Sequence, residues 1–223
     1  MSMQEKYIMS ADLTQQISDA GVIAVLEIEE VKHAVPVARA LLKGGVSAIE
    51  LTLRTPAAMD AARAIISEVP EIILGLGTVL KPEQVKEAAT AGVAFAVAPG
   101  CNPRVIVAAR EHGLSFAPGI VTPTDIEIAV EAGCRVLKYF PAESSGGIKH
   151  LASMAGPYSY LGIKYIPLGG LNISNAQPYL ESQLVCALGG SWLAKRELIK
   201  EEKWEQITQN ALAIRTLINE IRN

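Results

Sequence analysis

Residues 22–54 read VIAVLEIEEVKHAVPVARALLKGGVSAIELTLR, and this stretch decides the fold. It holds two short β-rich apolar runs, 22–28 and 48–54, around a segment, 31–43, with apolar residues at helical spacing. Gly45 follows that segment, where glycine supplies the left-handed residue that closes a helix. Pro36 interrupts the helical pattern and places the helix start nearer itself than residue 31.

The same unit recurs outward from here. Further runs lie at 73–79 (ILGLGTV), 94–99 (AFAVAP), 115–121 (SFAPGIV), 135–141 (RVLKYFP), 164–170 (KYIPLGG) and 185–191 (VCALGGS), which brings the count to eight. Gly92, Gly113 and Gly133 repeat the helix-closing position of Gly45. Residues 10–20 read as an extra N-terminal helix capping the barrel floor, and 203–222 as the last helix. Eight β–α units in 223 residues fit a closed parallel (β/α)8 barrel of the TIM type, spanning 1–223 as one α/β domain. An open doubly wound sheet that binds a dinucleotide should carry GxGxxG at its first strand–helix turn. Here that turn reads LEIEEVK and has no glycine.

Composition removes several function classes. Half of the residues are hydrophobic and the net charge is −3, which speaks against disorder and against nucleic-acid binding. Cys101, Cys134 and Cys186 form no CxxC pair, and with only three histidines no metal site is expected. The start MSMQEKYIMS is polar, and no run is long enough to span a bilayer, so a cytoplasmic chain is the expectation.

Strand parity locates the site. In 48–54, Ile49, Leu51 and Leu53 form an apolar set suited to the strand–helix layer, which leaves Glu50, Thr52 and Arg54 to point inward. An inward carboxylate and guanidinium are costly unless paired or functional. Val136, Lys138 and Phe140 share one face of 135–141, assigned inward by analogy. On 73–79 the set Leu74, Leu76 and Thr78 puts Thr78 near the top, the end where such barrels place their active sites. A low-dielectric interior disfavours a charged alkylamine, and a neutral amine attacks ketones. The constellation therefore fits capture of a 2-keto acid as an imine on Lys138. Glu50 serves as acid and base, Arg54 as a fork for the substrate carboxylate, and Thr78 as a further donor. No cofactor is required. Gly169-Gly170 and Gly189-Gly190-Ser191 end the last two runs, and glycine pairs there let backbone N–H groups approach a phosphate.

The stretches IELTLRT (49–55), GLGTVL (75–80), APGCNP (98–103), LKYFPAESSGG (137–147), LGG (168–170) and LGGSW (188–192) resemble the 2-keto-3-deoxy-6-phosphogluconate aldolase family, whose members often also act on 4-hydroxy-2-oxoglutarate. The resemblance implies a homotrimer and cleavage of the sugar acid to pyruvate and a phosphorylated aldehyde, glyceraldehyde 3-phosphate. It places the Schiff-base lysine on Lys138, the acid/base on Glu50 and the carboxylate contacts on Arg54 and Thr78. Phosphate contacts fall on Gly169, Gly170, Gly190 and Ser191, and pocket walls on Pro99 and Phe140. Two departures stand out: Leu168 where the family usually has threonine, and Glu27-Ile28-Glu29-Glu30 where some members carry a basic residue. Alternative readings are the same chemistry on another keto-deoxy sugar acid, a phosphate-binding isomerase or synthase, and a non-catalytic sugar-phosphate sensor. Lys149 and Trp192 read as a solvated lysine and a packing residue, and His33, His112 and His150 carry no role.

Overall fold

The computed structural model describes residues 8–222; residues 1–7 and 223, which belong to the expected 1–223 span and to the polar start, lie outside the described residues. All eight runs contain strand, each shorter than its run. The strands are β1 (Val22–Leu26), β2 (Ala48–Thr52), β3 (Ile73–Gly77), β4 (Phe95–Val97), β5 (Phe116–Ala117), β6 (Gly119–Ile120), β7 (Val136–Tyr139), β8 (Lys164–Pro167) and β9 (Leu188–Gly190). The run 115–121, expected as one strand, is split into β5 and β6 at Pro118. Proline has no N–H to give the ladder. Its carbonyl still accepts from the Lys138 N–H at 2.9 Å.

Every pairing is parallel, in the orders β5-β4-β3-β2-β1-β9 and β6-β7-β8. The chain itself joins the two sheets at Pro118. On the other side a parallel bridge between Tyr165 and Val185, with the Cys186 N–H donating to the Tyr165 carbonyl at 3.1 Å, closes the barrel. The expected α/β barrel is therefore present.

The connecting helices are α2 (Ala34–Lys43), α3 (Ala58–Glu68), α4 (Pro82–Ala91), α5 (Pro103–Glu111), α6 (Pro123–Glu131), α7 (Gly147–Ala155), α8 (Gln177–Leu180), α9 (Arg196–Lys200) and α10 (Trp204–Arg222), preceded by α1 (Ala11–Ala20). A 3-10 turn, Val31–His33, leads into α2, so Pro36 falls in the first helical turn, where its missing N–H costs nothing. Gly45, Gly92, Gly113 and Gly133 all adopt positive φ, as their helix-closing role requires.

Strand alternation produces two separate apolar layers. Ile49, Leu51, Leu74 and Leu76 belong to the layer between strands and helices, with Val37, Leu41 and Ile65. Ile23, Ala48, Phe95, Val97, Val136 and Ile166 fill the barrel interior, together with Met9 and Ile17. Ser10 caps α1 by accepting from the Leu13 N–H, and the helix aims Ile17, fully buried, into the floor of the barrel. Burying that one side chain contributes about 1.5–3 kcal/mol.

Candidate active site

Glu50 is the third residue of β2 and Lys138 the third of β7, and both point into the barrel above the apolar floor. Their residues are 2% and 5% exposed. Lys138 Nζ lies 2.9 Å from Glu50 Oε1 and 3.2 Å from Oε2, and 5.5 Å from the centre of the Phe140 ring. A buried ion pair is a poor source of stability, because desolvation offsets most of the attraction. The pair is therefore better explained by chemistry than by folding.

Room for the Glu50 carboxylate comes from Gly77, on the adjacent strand. A Cβ at Gly77 would lie 2.1 Å from Glu50 Oε1. Sequence reading gave Gly77 no role. The available signal was a glycine at the end of a strand, which marks close approach by another group.

Arg54 departs from the parity expectation. β2 ends at Thr52, and Arg54 lies past its end at the rim, with its side chain 51% exposed. Its Nε donates to Thr52 Oγ1 at 3.1 Å and lies 3.2 Å from Glu27 Oε2. Thr78 also departs from parity. Leu74 and Leu76 face the helices, and strict alternation would send Thr78 outward with them. β3 ends at Gly77, and Thr78 takes a left-handed φ of 61°. That conformation is unfavourable for a β-branched residue and is found mostly where function holds it. It leaves Thr78 on the cavity wall.

The loops after β8 and β9 face this pair across the mouth. Gly169 and Gly170 both have positive φ, and among the described residues their N–H groups have no protein acceptor. The loop is held from behind: the Ala142 and Glu143 N–H groups donate to the Leu168 and Gly169 carbonyls at 2.7 and 3.0 Å. Asn175 Nδ2 donates to the Gly170 carbonyl at 3.1 Å. Glu143 in turn accepts from the Tyr179 hydroxyl. Burial and that bond push the Tyr179 phenol well above its ordinary range. Leu168 is buried, with its side chain against Gly189. Gly190 leaves space for the Trp192 ring, which packs partly buried on the outer layer, and Lys149 is exposed on α7.

All ten residues singled out from the sequence line one cavity of about 230 Å³: Glu50, Arg54, Thr78, Pro99, Lys138, Phe140, Gly169, Gly170, Gly190 and Ser191. Val25, Thr52, Leu168, Leu171 and Gly189 complete its wall. A larger open depression, about 830 Å³, lies near the floor around Ser18, Lys164 and Arg222. Its basic groups are spent on backbone carbonyls: Lys164 on Gln183 at 2.8 Å, and Arg222 on Cys186 at 2.7 Å and Val185 at 2.9 Å. The smaller cavity is the one with convergent polar groups at the C-terminal strand ends, where barrels of this kind work. Among the described residues no three His, Cys, Asp or Glu side chains cluster as metal donors, and no helix is long and apolar enough to cross a membrane.

Comparison with known proteins gives this arrangement its context. The family model described as KDPG and KHG aldolase matches residues 13–210. The chain belongs to this aldolase family. It is 41% identical over 195 residues to the KHG/KDPG aldolase of Escherichia coli K12, covering 87% of this chain and 91% of the relative. The KDPG aldolase of Legionella pneumophila, solved with pyruvate captured as a covalent carbinolamine, superposes with a TM-score of 0.85 at 34% identity, covering 90% of this chain and 97% of that one. The Zymomonas mobilis aldolase solved with 3-phosphoglycerate superposes with a TM-score of 0.80 at 34% identity, over 91% and 93% of the two chains. This aldolase is accordingly a carbon–carbon lyase acting on small keto acids, and the isomerase, synthase and sensor readings lose their ground.

Proposed function

We propose that the chain cleaves 2-keto-3-deoxy-6-phosphogluconate to pyruvate and glyceraldehyde 3-phosphate through a Schiff base on Lys138. The observation that carries the reading is the buried Lys138–Glu50 pair, with Nζ 2.9 Å from Oε1, at the base of a cavity with Arg54 at its rim and free glycine N–H groups opposite. With its extra proton passed to Glu50, Nζ attacks the C2 carbonyl to form a carbinolamine, and loss of water gives a protonated imine. A base takes the C4 hydroxyl proton, the C3–C4 bond breaks toward the imine, and the aldehyde leaves. The remaining enamine is protonated at C3 and hydrolysed to pyruvate, which restores the amine. Glu50, in contact with Nζ, is placed to carry the carbinolamine and enamine protons.

Arg54 is assigned to the substrate carboxylate, with Thr78 as a second donor. Gly169, Gly170, Gly190 and Ser191 are assigned to the phosphate, and Pro99 and Phe140 to the walls. Activity on 4-hydroxy-2-oxoglutarate is part of the proposal, because Leu168 places an apolar side chain beside the phosphate loop. So are a single 1–223 domain, a homotrimer and a cytoplasmic location. Borohydride with pyruvate should fix a covalent adduct on Lys138, read by peptide mass spectrometry; an adduct elsewhere, or none, sinks the mechanism. Ser191→Leu should depress turnover of the phosphorylated substrate alone, and equal loss on both substrates removes the phosphate assignment. A solution mass other than three chains removes the trimer.

A further inference from the structure

We propose that Glu27 is a positioning residue that aims Arg54 at the substrate carboxylate, and that Arg196 balances its charge; the inference rests on the assignment of Arg54 given above. β1 runs between β2 and β9, so Glu27, the first residue past β1, stands between Arg54 and the loop leading to α9. Its side chain is 21% exposed and serves two guanidinium groups at once. Oε2 lies 3.2 Å from Arg54 Nε, and Oε1 lies 3.1 Å from Arg196 Nη1. Arg196 also reaches Glu29 through its other nitrogen.

The Nε edge of Arg54 is thus fixed from two sides. Thr52 Oγ1 accepts from Nε at 3.1 Å, and the Thr52 hydroxyl is itself committed to the Leu26 carbonyl at 2.9 Å. Among the described residues, the Nη1 and Nη2 groups of Arg54 have no partner, and the side chain lines the cavity. A half-exposed arginine otherwise loses side-chain freedom when it binds, and pre-ordering it removes that cost. Glu27 alone would also cancel much of the attraction Arg54 offers an incoming carboxylate. Arg196 offsets this, and Arg54, Glu27, Arg196 and Glu29 form an alternating row with no net charge. Exposed ion pairs contribute little to stability, so the row is not explained by folding. Neither Glu27 nor Arg196 touches the reacting carbons.

The test uses the full chain and borohydride trapping at Lys138, titrated with pyruvate and, separately, with acetone, which has the ketone and lacks the carboxylate. Glu27→Ala should raise half-saturating pyruvate about tenfold, the scale of ordering one long side chain, and move the acetone curve less than about twofold. Glu27→Gln keeps the shape of the side chain and removes the charge that pairs with Arg54, so it should lose most of what Glu27→Ala loses on pyruvate and spare acetone. Arg196→Met, which strips the balancing charge, should raise half-saturating pyruvate by several-fold and spare acetone. Equal loss on both ketones in Glu27→Ala, no loss on either, or wild-type pyruvate saturation in Glu27→Gln overturns the inference. Arg54→Met is the control for the underlying assignment. If it keeps the wild-type preference for pyruvate over acetone, the carboxylate role of Arg54 falls and Glu27 with it. If it loses that preference while Glu27→Ala keeps it, Arg54 stands and Glu27 alone is refuted.

Discussion

Gly77→Ala tests whether the placement of Glu50 matters more than its presence. Gly77 takes a backbone conformation open to any L-residue, so the substitution does not strain the strand. The added methyl instead meets Glu50, 2.1 Å from Oε1 and 2.7 Å from Cδ and Cγ. Relief to an ordinary contact of roughly 3.5 Å moves the carboxylate oxygen by about 1.4 Å. That is enough to break or lengthen the 2.9 Å contact with Lys138 Nζ. A misplacement of that size costs about 100-fold in rate. Overpacking at a buried site costs about 1–3 kcal/mol. For a chain of this size the melting temperature then falls by a few degrees, and the protein remains folded. The assay is kcat for pyruvate release, followed by coupling to lactate dehydrogenase, beside a thermal melt. A Gly77→Ala protein that melts within a few degrees of wild type and keeps kcat within about twofold would refute the argument that Glu50 must be held where it is.

Three further outcomes follow from the same geometry. Lys138→Met leaves Glu50 buried without its cation and should destabilise by about 3–5 kcal/mol in urea melts, with Glu50→Gln in the same chain recovering part of the loss; wild-type stability in the single variant would contradict the buried pair. Leu168→Thr puts a hydroxyl beside Gly169 and should raise kcat/KM for the phosphorylated sugar acid, relative to 4-hydroxy-2-oxoglutarate, by about fivefold, the scale of one hydrogen bond; an unchanged ratio removes Leu168 as a specificity residue. Burial pushes the thiols of Cys134 and Cys186 up to about 12 and about 11, so both should resist alkylation at pH 8 in the folded protein, and rapid labelling would refute it. Those raised values also fix a sign. The stabilisation is complete below the ordinary thiol range near ~8.5, and declines as pH rises through the folded values, because unfolding then releases protons.

The fold was legible because burial on both strand faces writes itself into short apolar runs, and because Gly45, Gly92, Gly113 and Gly133 marked helix ends. Parity was reliable inside the ladders. Glu50 and Lys138, each in mid-strand, lie where alternation puts them. It failed one or two residues past a strand end, where torsions replace the pleat. Thr78 turns on a left-handed φ, and Arg54 swings to the rim, although both line the expected cavity. Pro118 split a strand that composition alone made continuous. Gly77 and Glu27 were illegible for another reason. Their significance lies in a neighbour from another strand, and one chain's local pattern does not show which side chains meet across the barrel.

The apolar floor has a consequence for traffic. Ala48, Val136 and Ile166 fill the barrel beneath the Lys138–Glu50 pair, and Ile17 seals the end. Among the described residues, the pair therefore sits in a vessel floored on that side and open at the C-terminal strand ends. On the proposed chemistry, keto acid, expelled water, aldehyde and pyruvate all share that opening, and the pyruvate fragment is tethered at the bottom while the aldehyde lies nearer the door. Departure is then ordered by position alone: the aldehyde must clear the opening before water can return to release pyruvate, and free aldehyde should inhibit by holding the door against an enzyme still loaded within.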